Sequence, residues 1–140
     1  MYDKPGIRVP VIFPGLGAEN DEPIKHGLPA VIDNKVGFLF KNQQVDRWTR
    51  PADAADIEPG EKTLIALGGE HKLELAGGLA GLSEGDLLWI DPEDFTVKKD
   101  ADAAVGDLPL GVISSVDTFL TPDVALVNCN ALNIFMAKAA

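Results

Sequence analysis

The sequence predicts an all-β protein, a small barrel or sandwich that carries an extended N-terminal arm. Three observations support this fold class. Short segments with alternating apolar residues recur roughly every 8–12 residues, and turn-forming residues separate them. The chain contains 14 glycines and 10 prolines, which disfavour long helices. Its apolar fraction of 46% is sufficient for a packed core, and 140 residues correspond to one domain.

Residues 1–29 are expected to form the arm. The segment IRVPVIFP is apolar and extended, but Pro10 and Pro14 cannot donate hydrogen bonds to a strand ladder. The segment therefore fits either an edge strand or a strand that pairs with another chain. A monomer would have difficulty covering its apolar side chains, so we expect them to contact another protein. These side chains are Ile7, Val9, Val11, Ile12 and Phe13.

Residues 30–57 are expected to form a short hairpin and a connector. Two strands, at 30–32 and 36–41, are joined by the turn DNKVG. The connector that follows contains Arg47, Trp48 and Arg50. Trp48 either pins the connector onto the domain or forms an interface hot spot together with the two arginines, since tryptophan and arginine are enriched at such positions.

Residues 58–140 are expected to form the compact β-domain. KTLIAL and HKLELA alternate around GGE, which is a hairpin signal. LLWI and FTV flank the turn DPED, and PLGVISSV and DVALVNC predict two further strands. ALNIFMAKA fits a last strand or a short tail helix. Trp89 and Phe95 are expected to fill the core.

The charge of the chain is uneven. The formal net charge is -10, and residues 58–140 hold 14 Asp/Glu against five Lys/Arg, whereas residues 1–57 hold eight against seven. An acidic surface repels phosphate backbones and anionic lipids, so we expect neither nucleic acid nor membrane as a partner. The nearly neutral first part could lie against another protein.

No pattern predicts catalysis, a cofactor or a metal. Cys129 is the only cysteine, so no intramolecular disulfide can form, and a small buried side chain is the expected role. His26 and His71 lack metal-ligand neighbours at suitable spacing. Asp91, Glu93 and Asp94 fit a solvated acidic turn better than a calcium loop. Without a signal peptide or an apolar span, the chain is expected to be soluble and made in the cytoplasm.

The stretches GLSEGDLLWIDPEDFTV, ADAAVGDLPLGVISSVD and DVALVNC together resemble the small capsid cement, or head decoration, proteins of tailed bacteriophages. The family pattern is a Gly-Asp-hydrophobic strand, a turn, an alanine-rich polar stretch, a Pro-hydrophobic-Gly-Val element and a final valine-rich strand. The resemblance covers roughly residues 60–130. The matching residues are Gly85, Asp86, Leu87, Trp89, Pro109, Gly111, Val112, Val124 and Val127.

The resemblance implies a β-tulip-like domain on the outer surface of a phage capsid, often a homotrimer, that ties neighbouring subunits of the major capsid protein together. The expected location is then the virion, after synthesis in the host cytoplasm. Two other functions remain open. A pocket that converges on His71 or on the acidic turn would favour a small β-barrel enzyme or ligand-binding protein. A tail- or fibre-associated virion module is the other alternative.

Overall fold

The computed structural model describes residues 4–41, 48–129 and 137–139, and it is nearly all β, as the sequence predicts. In chain order the strands are β1 (Lys4–Ile12), β2 (Ile24–Lys25), β3 (Pro29–Ile32), β4 (Lys35–Phe40), β5 (Asp56–Ile57), β6 (Lys62–Glu74), β7 (Leu87–Ile90), β8 (Val97–Lys99), β9 (Leu108–Asp117) and β10 (Val124–Cys129). Short 3-10 turns lie at Gly77–Leu79 and Asp100–Asp102. No helix of the described residues is long and apolar enough to cross a membrane.

One antiparallel sheet dominates the fold. Its strand order is β3-β4-β6-β10-β9-β7-β8, and β1 joins the same sheet by pairing with β6. The sheet curls into a half-barrel. The short strands β2 and β5 pair separately. Most neighbours in the sheet are distant in sequence, so the curl brings the first third of the chain against the last third.

The central strand β6 corrects one sequence prediction. KTLIAL and HKLELA do not form a hairpin, because they are two parts of a single strand of 13 residues. Gly68 and Gly69 take positive φ angles of 68° and 74°, which only glycine adopts easily, and β1 pairs with β6 across this point. The Nε2–H of His71 donates to the Gly68 carbonyl at 2.8 Å. The two glycines therefore distort a continuous strand instead of reversing the chain.

Most of the remaining strands are confirmed. The hairpin β3–β4 turns through Asp33 and Asn34, whose φ angles of 50° and 61° are left-handed, as a tight two-residue turn requires. Strands β7, β9 and β10 occupy the predicted segments, whereas β8 begins at Val97, the last residue of the predicted strand FTV, because Phe95 has a φ angle of 62° and still belongs to the turn. Gly111 permits β9 and β10 to approach closely, since a Cβ there would lie 2.3 Å from the Asn128 carbonyl oxygen. The predicted last strand or tail helix lies mostly outside the described residues.

The core consists of two hydrophobic clusters, and both draw residues from more than one of the predicted segments. The first cluster joins the hairpin strand β4 to β6, β7, β9 and β10, and Cys129 is buried within it as expected. The second cluster is built mainly from residues before 58. Its buried members are Val11, Phe13, Ile24, Ala30, Ile32, Leu39, Ile57 and Ile65. Residues 1–57 therefore supply strands and core residues to the same sheet as residues 58–140.

Trp89 does not fill the core, contrary to the prediction. Strand alternation places Leu88 and Ile90 inward at 0% exposure, so Trp89 lies on the opposite face and is only half-buried. Its indole Nε1–H donates to Asp100 at 2.9 Å, and the Lys138 ammonium lies 5.2 Å from the ring centroid. Phe95 packs partly buried against both clusters.

Candidate functional site

The candidate site is the outer edge of β1. Strand β1 pairs antiparallel with β6 from Lys4–Glu70 to Ile12–Lys62, and no other described strand pairs with it. The sequence left open an edge strand or pairing with another chain. The structure shows the first of these alternatives, a strand at the edge of its own sheet. Prolines are tolerated at such an edge because one side of the strand needs no donors.

Three contacts fix β1 on its own sheet. Gly6 lies so close to β6 that an added Cβ would be 2.1 Å from the Leu67 carbonyl oxygen. The Arg8 guanidinium carbon lies 4.3 Å from the centroid of the Phe40 ring, a cation–π distance. The Thr63 hydroxyl donates to the Val11 carbonyl at 3.4 Å. The register of β1 is therefore determined inside the chain, and a partner could reach only its outer side.

The predicted interface side chains of β1 separate into two groups. Ile7 and Ile12 are 70% and 56% exposed and remain available to a partner. Val11 and Phe13 are 7% and 0% exposed, and Val9 packs partly buried beside them. The prediction that Val11 and Phe13 contact another protein is therefore wrong, because both are part of the second core cluster.

A cavity of about 480 Å³ lies at the end of β1. We call it the β1 cavity. The cavity is mainly apolar. The exposed side chains of Ile12 and Lys62 form part of its wall, so charged groups are also among its lining residues. Its lining residues are Pro10, Val11, Ile12, Asp33, Lys62 and Thr63. An apolar recess can accept a large apolar side chain.

The connector residues lie elsewhere. Arg50 donates to Glu74 at 2.6 Å and to the Pro122 carbonyl at 3.1 Å, so it ties the connector to the far end of β6. The Lys72 ammonium lies 5.9 Å from the Trp48 ring, which is half-buried. Arg47 is outside the described residues. Arg50 is therefore used within the chain, and the structure does not bring it together with β1.

Both histidines have structural positions. His26 is 6% exposed, and its Nδ1 accepts the Lys41 backbone N–H at 2.9 Å. His71 is 2% exposed and lies beside Phe38, with ring centroids 4.9 Å apart. Among the described residues, no group of three or more His, Cys, Asp or Glu side chains could hold a metal ion.

The acidic turn uses its carboxylates for local structure. Asp91 accepts the Glu93 backbone N–H at 2.8 Å, and Asp94 accepts that of Thr96 at 2.9 Å. The bond from Thr96 lowers the pKa of Asp94 below its usual value. A separate apolar recess of about 380 Å³, whose walls include Leu79 and Phe95, has Asp94 among its lining residues.

Phe119 is an exposed apolar residue that sequence reasoning did not assign to an interface. Its side chain is 99% exposed, and the neighbouring Leu120 is 40% exposed. Both belong to residues 118–123, which connect β9 to β10 and which we call the Phe119 loop. The available signal was the position of two large apolar residues in a short turn between Asp117 and Pro122, where polar residues are usual.

Comparison with known proteins identifies no match: no protein-family model, no curated protein and no solved structure is sufficiently similar to this chain.

Proposed function

We propose that the chain is a structural virion protein, a decoration protein, that binds the outer surface of a phage capsid and stabilises contacts between major capsid protein subunits as a homotrimer. The outer edge of β1, with which no described strand pairs, and the exposed side chains of Ile7 and Ile12 together carry the proposal. A strand edge recognises another protein through backbone hydrogen bonds, while exposed apolar side chains supply buried area.

The residues that carry the family resemblance also have definable places in the sheet. Gly85, with a φ angle of 92°, lies two residues before β7, and its N–H donates to the Ile113 carbonyl at 2.8 Å. The Asp86 carboxylate accepts the Ser83 N–H at 2.8 Å. The Gly-Asp element therefore joins β7 to β9, and Gly111 joins β9 to β10. These contacts support the proposal because the residues that carry the resemblance connect neighbouring strands of the sheet.

The attachment is expected to depend on many copies. Val11 and Phe13 are already buried, so one chain offers a partner less apolar surface than the whole N-terminal segment contains. A small contact gives low affinity because association costs translational and rotational freedom. Several linked copies on one capsid would compensate, since each later binding event becomes intramolecular.

The test is co-sedimentation of the purified protein with expanded capsids, and with unexpanded shells, that lack decoration. Binding to expanded capsids is expected. Ile7→Asp should weaken it about tenfold or more, because a charge would enter the contact. Glu93→Lys, at an exposed position in the acidic turn, is the matched control and should bind normally. If the wild-type protein does not bind, the function is wrong. Loss of binding only in Glu93→Lys would place the attachment surface on the acidic side.

A further inference from the structure

The apolar recess beside the acidic turn has the composition of a small-molecule site. Its volume of about 380 Å³ is in the range of ligand pockets, and we call it the Phe95 recess. Leu73 and Leu79 are buried side chains of its wall, and Asp94 is a polar one. We infer that the Phe95 recess binds a small organic cation, a primary ammonium group on a hydrocarbon body. This binding is independent of capsid attachment, so the purified protein alone is sufficient to test it.

Asp94 supplies the charge that selects a cation. It is the one charged residue among the described residues that line the recess. The hydrogen bond from Thr96 holds the pKa of Asp94 below its usual value, so the carboxylate is ionised at neutral pH. Within the described part of the chain, no Lys, Arg or His group lies within 4 Å of this carboxylate, and the nearby Lys98 pairs with Asp107 and Asp91 instead. A ligand ammonium group would therefore complement Asp94, while its hydrocarbon body contacts the apolar wall.

Phe95 is held in the wall of the recess by a strained backbone. Its φ angle of 62° is left-handed, a conformation that a bulky side chain rarely adopts. The turn imposes it, because the Phe95 N–H donates to the Asp91 carbonyl at 2.9 Å and the Asp91 N–H donates to the Thr96 carbonyl at 2.9 Å. Strained residues of this kind concentrate at ligand sites. Here the strain places an aromatic side chain in the wall, partly buried against both core clusters.

The rest of the wall is also fixed by contacts within the chain. The Leu79 N–H donates to the Ala76 carbonyl at 3.1 Å, which forms the short 3-10 turn on the wall. The Leu28 carbonyl accepts the Leu39 N–H at 2.9 Å, so the segment before β3 is joined to β4. A wall that is ordered before the ligand arrives reduces the entropy that binding must remove.

An NMR titration of the 15N-labelled protein at neutral pH and low salt tests the inference with three probes of equal length: n-hexylammonium, 1-hexanol and hexanoate. So small a ligand should bind with a dissociation constant on the order of 1 mM. Hexylammonium is expected to shift the backbone amide signals of Leu79 and of residues 94–97 in a saturable way. Because Asp94 is exposed, its charge should favour hexylammonium over hexanol by about 2–5-fold, and hexanoate should bind more weakly still. Added salt should reduce the preference for the cation.

Asp94→Asn separates the charge from the shape of the recess. The amide retains an oxygen that can accept the Thr96 N–H, so the turn should remain folded. The variant should bind hexylammonium and hexanol equally. Glu93→Gln is the matched control, because it removes a charge from the adjacent residue, which does not line the recess, and it should keep the wild-type preference.

Three results would overturn the inference. They are the absence of saturable shifts at the recess with hexylammonium, equal binding of hexylammonium and hexanol to the wild-type protein, and an unchanged preference for the cation in Asp94→Asn. None of these results bears on the proposed function, since no capsid is present in the titration.

Discussion

At the scale of single residues, Lys98 shows how this acidic chain uses its few cations. Its ammonium group lies 3.1 Å from Asp107, a carboxylate whose side chain is only 3% exposed, and 3.7 Å from Asp91. Asp107 also accepts the Ala104 backbone N–H at 2.8 Å. The hydrogen bond to Asp107 raises the pKa of Lys98 above its usual value of 10.5. The pair therefore joins the strand β8 to the loop before β9.

This pKa shift predicts how stability changes at alkaline pH. Because the folded-state pKa of Lys98 is raised, its contribution to stability is complete below about pH 10.5 and decreases as the pH rises through the folded-state value. Urea unfolding between pH 8 and 11.5 should show this loss in the wild type. Lys98→Met should be less stable at pH 8 and should lose less on going to alkaline pH. Lys99→Met, on the same strand, is the control and should follow the wild type. Parallel curves for Lys98→Met and wild type would contradict the assignment.

At the scale of elements, β1 has one side that packs in the core of its own chain and another side that a partner can contact. Val11 and Phe13 are in the second core cluster, whereas Ile7 is 70% exposed. Phe13→Ala should therefore lower the free energy of unfolding by about 3–5 kcal/mol. Ile7→Ala should change it by no more than ~0.5 kcal/mol. Urea denaturation of the two variants measures both values. Equal, small effects would mean that β1 does not pack on its own sheet in solution.

The elements also show how far the sequence could predict this fold. The hairpin β3–β4 was predictable because a local signal, the Asp33–Asn34 turn, determines it. The alternation in LLWI predicts that Trp89 lies on the face opposite Leu88 and Ile90, although the large aromatic side chain of Trp89 favoured a position in the core. The path of β6 was not predictable in the same way. A Gly-Gly pair is compatible with either a turn or a distorted strand. Only the pairing of Gly69 with β1, a strand far away in sequence, shows that β6 is a distorted strand.

The candidate site was predictable only in part for the same physical reason. The sequence predicted an apolar strand with prolines. It contained no local signal that shows which of the apolar residues face the second cluster. Val11 and Phe13 are buried with Ile24, Ile32 and Ile57, which are distant in sequence and meet only in the folded chain. The Phe119 loop was recognisable as apolar, but its 99% exposure results from the arrangement of β9 and β10 around it.

At the scale of the whole molecule, strands from residues 1–57 belong to the same curled sheet as the rest of the chain. Strand β6 pairs with β1 from Lys62 to Glu70 and with β4 from Leu64 to Ala66. A fragment of residues 58–140 would lack both partners and most of the second cluster. The edges of β6 and its apolar side chains would then be open to water, a costly arrangement for so small a core.

Residues 58–140 expressed alone are therefore expected to unfold without cooperativity and to bind a hydrophobic dye, because native packing needs the missing strands. Calorimetry and circular dichroism on the fragment and the full chain measure the difference. Adding residues 1–57 as a separate polypeptide should restore a cooperative transition, since those residues contribute Phe13, Ile32 and Leu39 to the core. A cooperative melt of the fragment alone, close to that of the full chain, would show instead that residues 1–57 are an appendage. Strand β1 could then pair with a neighbouring subunit.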